Sequence, residues 1–359
     1  MAKLITGKGI GFQQLLEACR NSKFVALDLN NGVIGNFQLT PIGRMLRNNL
    51  REEFKRSDTE TVVYEGSCGV SLRENLQFVK ESFSTNLPFG IALEKPFRNE
   101  KISLSESFQL ALPTGSFLTR SYFVNPSVSR EYMYKVQRQR KIWWMRFACD
   151  PGRYSISDTR QDAESRIQTT SIRAQLGGEE LTLEQLELIP SATMQEELAG
   201  FQAKIGRTNS RKITPDVIRI EQCVELATLE VIMDAIESGG LSSVRIHRKL
   251  APYKCGIVCV VEGASRLEEL RDLASHLANV LRRANVTALD CTSPTNGSSE
   301  RTLTKQLNHL DSIGVPFSLV LRDQSLQAGL LQLRSRDTTI SETIHISDLP
   351  HYLLRIITN

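Results

Sequence analysis

Residues 255 to 321 switch repeatedly between two periodicities, and that alternation limits the fold more than any other stretch. "GIVCVV" is a short, wholly apolar run of the kind that forms a strand buried on both faces. Leucines at 267, 270, 273, 277 and 281 follow at the spacing of one helical face, then "VTALD", a second helical stretch ending near Leu310, and "PFSLVL". Strand, helix, strand, helix, strand in this order requires parallel strands joined by right-handed crossovers. The next segment, "LLQLRSRDTTISETIHISDLP", reads as two more strands around an Arg-Ser-Arg-Asp turn and a closing helix. Residues 241–359 are therefore expected to form an α/β domain with a mixed five-stranded sheet.

At 359 residues the chain exceeds what one core usually supports, so residues 1–240 are expected to form a second, α+β unit, with the boundary between Gly239 and Leu250. Ile42, Met45, Leu46, Leu50 and Phe54 recur at helical spacing after a Thr40-Pro41 start signal. Leu72, Leu76, Val79 and Phe83 mark a second helix. "NLPFGIALEKPFRNEKISLSESFQLALPTGSFLTRSYFV" is cut by Pro and Gly into short β-like pieces, as in an antiparallel sheet. "SREYMYKVQRQRKIWWMRF" reads as a basic, aromatic helix, and residues 150 to 171 as a polar loop. "DVIRIEQCVELATLEVIMDAIESGG" gives a strand running into a helix that stops at a Gly239-Gly240 cap.

The composition, 40% hydrophobic and 23% charged, is that of an ordinary globular protein. A net charge of +4 does not by itself announce a nucleic-acid binder, so any such role needs a local patch. No apolar run reaches the length of a membrane span, and no membrane partner is expected. Seven cysteines without a Cys-x-x-Cys pair and five scattered histidines give neither a disulfide framework nor metal-ligand spacing. A reducing compartment, no metal and no cofactor are the expectation. "GKGIGF" matches neither the P-loop nor the dinucleotide spacing. The first 24 residues carry Lys3, Lys8, Arg20 and Lys23 against Glu17, which suits either an organelle presequence or an amphipathic helix with Phe12, Leu15, Leu16 and Cys19 on one face.

"LAPYKCGIVCVV", the leucine-rich helix, "IGVPFSLVL" and "LLQLRSRDTT" together resemble the anticodon-binding domain of class II aminoacyl-tRNA synthetases. "GNFQLTPIGRMLRNNLREEF" resembles motif 1 of glycyl-tRNA synthetases and "PFGIALEKPFRNE" their motif 2. The resemblance implies a class II core with an antiparallel sheet, in which Arg98 would meet the ATP α-phosphate and Glu100 the adenine amino group. At motif 3, "PDVIRIEQCVEL" keeps Pro215, Val217 and Ile218, but Cys223 and Glu225 stand at glycine positions and Leu226 where the enzymes hold the γ-phosphate with Arg. Ser121 and Tyr122 also depart from the Arg-Glu after motif 2. A Leu for a cation and an added carboxylate reverse what adenylation needs, so no catalytic residue is expected.

"SLRENL", "LPFGIA", "KIWWMRF", "LAPYKCGI", "LRSRDTT" and "HISDLP" together are similar to the accessory (beta) subunits of mitochondrial DNA polymerase gamma, a family with this architecture and a dead site. The resemblance implies a non-catalytic processivity subunit in the mitochondrial matrix and nucleoid, whose partners are the polymerase catalytic subunit and primer-template DNA. Only "KRSDTETVVYEGSCGV" stands where vertebrate members carry a four-helix dimerisation bundle, so the insect-like short form and no homodimer are expected. An organellar glycyl-tRNA synthetase and a synthetase-derived tRNA-binding protein are the competing readings. Gly329, Arg334, Arg336 and Asp337 are the candidate partner contacts, although the three charged residues would equally form a surface ion-pair cluster. Arg138, Arg140, Lys141 and Arg146 are either phosphate contacts or a solvated face. Trp143 and Trp144 suit a core.

Overall fold

A computed structural model describes residues 10–358 apart from 59, 84, 206–210, 261–265 and 293–301. The first half runs α1 (Phe12–Arg20), β1 (Val25–Asn30), β2 (Val33–Leu39), α2 (Pro41–Lys55), β3 (Val63–Glu65), α3 (Leu72–Ser82), β4 (Phe89–Ser103), β5 (Gln109–Val124) and α4 (Ser129–Phe147). It continues through β6 (Tyr154–Ile156), β7 (Arg160–Gln161), β8 (Gln168–Leu176), β9 (Glu179–Ile189), β10 (Ala203–Ile205), β11 (Arg211–Ile213), β12 (Asp216–Cys223) and α5 (Val224–Gly239). The last third holds β13 (Cys255–Cys259), α6 (Leu267–Arg283), β14 (Ala288–Asp290), α7 (Leu303–Ser312), β15 (Phe317–Leu321), α8 (Asp323–Ala328), β16 (Leu330–Ser335), β17 (Ser341–His345) and α9 (Leu349–Thr358).

Among the described residues a ten-stranded sheet, ordered β1-β2-β5-β12-β9-β8-β6 with β4 on β5, carries α1, α2, α4 and α5 packed into one core. Its other face is partly covered by α3 and by Met194, Leu198 and Phe201. Phe12, Leu15, Leu16 and Cys19 are buried on α1, as the amphipathic reading requires. Residues 1–9, with the first half of "GKGIGF" and the start of any presequence, lie outside the described residues. Trp143 and Trp144 are both buried in this core.

Two expectations need correction. Residues 86–124 are not short pieces: β4 and β5 run 15 and 16 residues in one continuous antiparallel ladder. The strand breakers fit because of where they sit. Pro96 lies where β4 has only β5 beside it, since β3 pairs no further than Ala92, so the missing N–H costs no ladder bond. A Cβ at Gly115 would stand 2.4 Å from the Phe97 ring and 2.5 Å from the Glu225 carboxylate, so β5 needs glycine there. The second correction is the polar segment 150–171, which contains β6, β7 and the start of β8. At a sheet edge one buried position, Tyr154, anchors β6, and β7 is exposed throughout, which leaves no apolar period to read.

In the second sheet β14, β13 and β15 are parallel while β16 and β17 add on antiparallel, a mixed five-stranded order of β14-β13-β15-β16-β17. Both faces are covered. Cys255, Ile257 and Cys259 face α6 and α9, and Val258 and Val320 face α7 and, at the boundary with the first sheet, Ile42 of α2.

One core residue carries a charge question. Glu230 is fully buried on α5, one carboxylate oxygen accepts from the Tyr154 hydroxyl at 2.7 Å and the other has no partner. Burial, then the charge of Asp234, pushes its pKa from 4.5 to about 8. The protonated form is therefore native while the unfolded chain ionises, so stability is full below pH 4.5 and is lost as pH rises toward 8. His247, lowered by burial from 6.5 to about 4, acts in the opposite sense below 6.5, and Lys254, lowered to about 8, acts only above 8. Between pH 6.5 and 8 wild type should thus lose about 2 kcal/mol relative to Glu230→Gln, at roughly 1.4 kcal/mol per pH unit. Urea titrations at several pH values check this, and parallel pH profiles would remove Glu230 as the cause.

Candidate partner and nucleic-acid surfaces

Each residue singled out in the sequence has a definite place, and several are not where a binding role needs them. Arg336 is 5% exposed. Its guanidinium donates to the carbonyls of Val244 at 3.0 Å, Gly314 at 2.9 Å and Ile246 at 2.9 Å, and its Nε to Asp337 Oδ1 at 2.9 Å. A partner contact through Arg336 is therefore corrected: it ties β16 to the segment that joins the two sheets. Arg334 is held similarly, forking onto Asp311 at 3.0 and 2.9 Å at the end of α7. A planar fork satisfies two acceptors at fixed geometry, which suits a joint better than a loose surface pair. Asp337 is exposed and opens a turn that ends at Ile340, 69% exposed. Asn49 of α2 adds to the joint, donating to Leu250 and Ala251 carbonyls at 3.0 Å each. The Lys254 ammonium donates to Lys249 and Ala251 carbonyls at 2.6 and 2.9 Å, and its burial accounts for the lowered pKa.

Gly329 ends α8 with φ +67°, and a Cβ there would sit 2.7 Å from His345 Nε2 on β17. The glycine is thus required by the chain's own packing, whatever else meets it.

On α4 the four basic candidates divide. Arg140 is 3% exposed, forks onto the buried Glu184 and lies over the rings of Trp143 and Phe54 at 4.4 and 4.5 Å. Trp144 Nε1 donates to the same carboxylate at 2.9 Å. A phosphate contact by Arg140 is ruled out by this burial, which corrects the fourfold patch. Arg138 and Arg146 are exposed and Lys141 half-buried. A groove of about 600 Å³ runs beside α4 between Val128, Tyr132, Ile142 and Glu60. Arg120, which sequence reading passed over, is buried at 1% and closes the end of α2 by donating to the carbonyls of Phe54 and Lys55 at 2.7 and 3.2 Å. Cations at a helix C-terminus meet the negative end of its dipole. An Arg facing the apolar row Ala92, Ile220 and Leu186 across the sheet would have been the signal.

The synthetase-like remnant is dispersed. Arg98 and Glu100 stand exposed on β4, and among the described residues no hydrogen bond or ion pair joins them to the motif 3 positions. Leu226 is packed in the core, and burial pushes the Cys223 thiol up to about 12. Glu225 is engaged by the chain's own donors. Its Oε1 accepts from Arg47 Nε at 2.6 Å and its Oε2 from the Ser116 backbone N–H at 2.9 Å. The β5–β12 ladder ends at Phe117, so this carboxylate serves the first N–H of β5 left without a strand beside it. A cavity of about 620 Å³ between β2, α2 and β5 opens at that gap, with Arg44, Arg47 and Glu225 in its wall.

Residues 254–356 match the anticodon binding domain family. Over 247 residues the chain is 38% identical to the DNA polymerase subunit gamma-2, mitochondrial, of Drosophila melanogaster, covering 67% of each chain. The chain belongs to the DNA polymerase subunit gamma-2 family. The Xenopus laevis gamma-2 subunit is 30% identical over 66% of this chain and 52% of its own length, so the match spans about half of that relative. A glycine–tRNA ligase of Chlorobaculum tepidum is 22% identical over 83% of the chain, the more distant kinship that the class II motifs imply. In this gamma-2 chain the motif 3 residues serve the fold.

The joint is testable without any partner. Arg336→Met should cost about 3 kcal/mol or more, because three carbonyls and a carboxylate lose a buried cation. Asp337→Ala, which removes the exposed carboxylate from the buried cation but leaves its three carbonyls, should cost less, about 1–2 kcal/mol. Gly329→Ala should cost about 1–2 kcal/mol from the left-handed backbone and the His345 contact. Urea unfolding measures all three, and a stable Arg336→Met protein would dismiss the joint.

Proposed function

We propose that this chain is the accessory subunit of a mitochondrial DNA polymerase, acting in the matrix at the nucleoid. It binds the catalytic subunit through residues 241–359 and strengthens the complex's hold on primer-template DNA. Membership of a family whose Drosophila and Xenopus members are named as mitochondrial polymerase subunits carries the reading. The geometry agrees with it. With Arg334 and Arg336 occupied internally, the parts of the C-terminal segment free for a partner are the exposed turn from Asp337 to Ile340, the outer edge of β17 and the surface around Gly329. DNA contact falls to Arg138, Lys141 and Arg146 on the outer face of α4.

No adenylation is proposed, since Leu226 is interior and Glu225 is consumed by Arg47 and Ser116. The free protein is proposed to be monomeric and to pair with one catalytic subunit. Affinity capture should recover the polymerase catalytic subunit and stimulate its processivity, with no glycine-dependent ATP-pyrophosphate exchange. Capture of tRNA instead, or exchange above background, would favour the synthetase-like alternatives. A stable dimer in sedimentation would refute the stoichiometry. Arg138→Ala with Lys141→Ala should flatten the salt dependence of primer-template binding by about 0.7 to 0.9 per lost phosphate contact.

A further inference from the structure

The outer face of α4 carries an aromatic ring as well as charge. Tyr134 is 58% exposed, and among the described residues it has no hydrogen bond, ring contact or ion pair. Arg130 lies four residues before it, Arg138 four after and Lys141 seven after, so all three flank the ring on one helical face. None of the three has a carboxylate partner among the described residues, whereas Lys135 on the same helix is paired with Glu60. Glu131 is the acid on this face. Three uncompensated cations around one free ring make a surface for a polyanion that also has flat faces to stack.

We infer that α4 binds single-stranded nucleic acid, an unpaired base stacking on Tyr134 while Arg130, Arg138 and Lys141 hold the flanking phosphates. This rests on the reading that α4 faces DNA, and it specifies which form of DNA. To enter a duplex the ring would have to unstack a base step, at about a few kcal/mol, whereas a base whose partner strand is absent is open to it. Cations at one-turn spacing on both sides of the ring match a backbone passing along the helix.

The test uses the full chain and a fluorescent oligo-dT of about 16 nucleotides, a length at the upper end for one binding site. Tyr134→Ala should weaken binding about tenfold, equal to 1.4 kcal/mol and within the range for one stacked base, without changing the salt slope. Tyr134→Phe should bind like wild type. Arg138→Ala should flatten the slope by about 0.7, the single-strand value per phosphate. Both sites are exposed, and melting curves confirm that the variants fold. Unchanged affinity in Tyr134→Ala, equal loss in Tyr134→Phe, or a duplex of the same length competing as well as oligo-dT would each overturn the inference. Absence of oligo-dT binding by wild type would overturn it too, while capture of the catalytic subunit by the same preparation would leave the family reading standing.

Discussion

The relation between the two sheets depends on the buried guanidinium of Arg336. A charge taken out of water must be resolvated by the protein, and here the replacement solvent is three backbone carbonyls from two separate segments. The Val244 carbonyl also accepts from the Ile246 N–H, so the guanidinium adds a second bond there. The cation and the joining segment therefore order each other, and the C-terminal module inherits a fixed seat. Arg140 and Arg120 repeat this inside the core, one forked onto Glu184, the other closing α2, with Ser57 Oγ shared between them at 3.1 and 3.0 Å. In this chain buried arginines serve as joints between elements, and lysines, apart from Lys254, lie nearer the surface.

That use of arginine explains what the sequence concealed. The alternation from 255 to 321 and the apolar spacing of α1 and α2 were legible because burial there is periodic. Arg140 and Arg336 were not, since a basic residue among basic neighbours looks identical whether it faces water or a carboxylate brought from another strand. Glu184, 44 residues from Arg140, is aligned with it only by the pairing of β9 beneath α4. The length of β4 and β5 was hidden for a related reason. Pro96 and Gly115 signal breaks locally, and only the absence of a neighbour at one and the closeness of Phe97 and Glu225 at the other convert them into strand residues.

In the synthetase-like scaffold the motif 3 positions are engaged by the chain's own packing and hydrogen bonds. Glu225 keeps α5 seated against α2 and completes the hydrogen bonding of β5, two tasks within the fold itself. Leu226 beside it is packed in the core. Arg98 and Glu100 stand on an exposed stretch of β4, and among the described residues no hydrogen bond or ion pair joins them to the motif 3 positions.

Glu230 has a consequence for how the protein must be measured. With a native pKa of about 8 against an ordinary 4.5, the folded chain carries a proton at neutral pH that the unfolded chain gives up to the buffer. Calorimetric unfolding enthalpies will therefore contain the buffer's own heat of protonation. Two laboratories working at one pH in buffers of different ionisation enthalpy will report different values for the same fold.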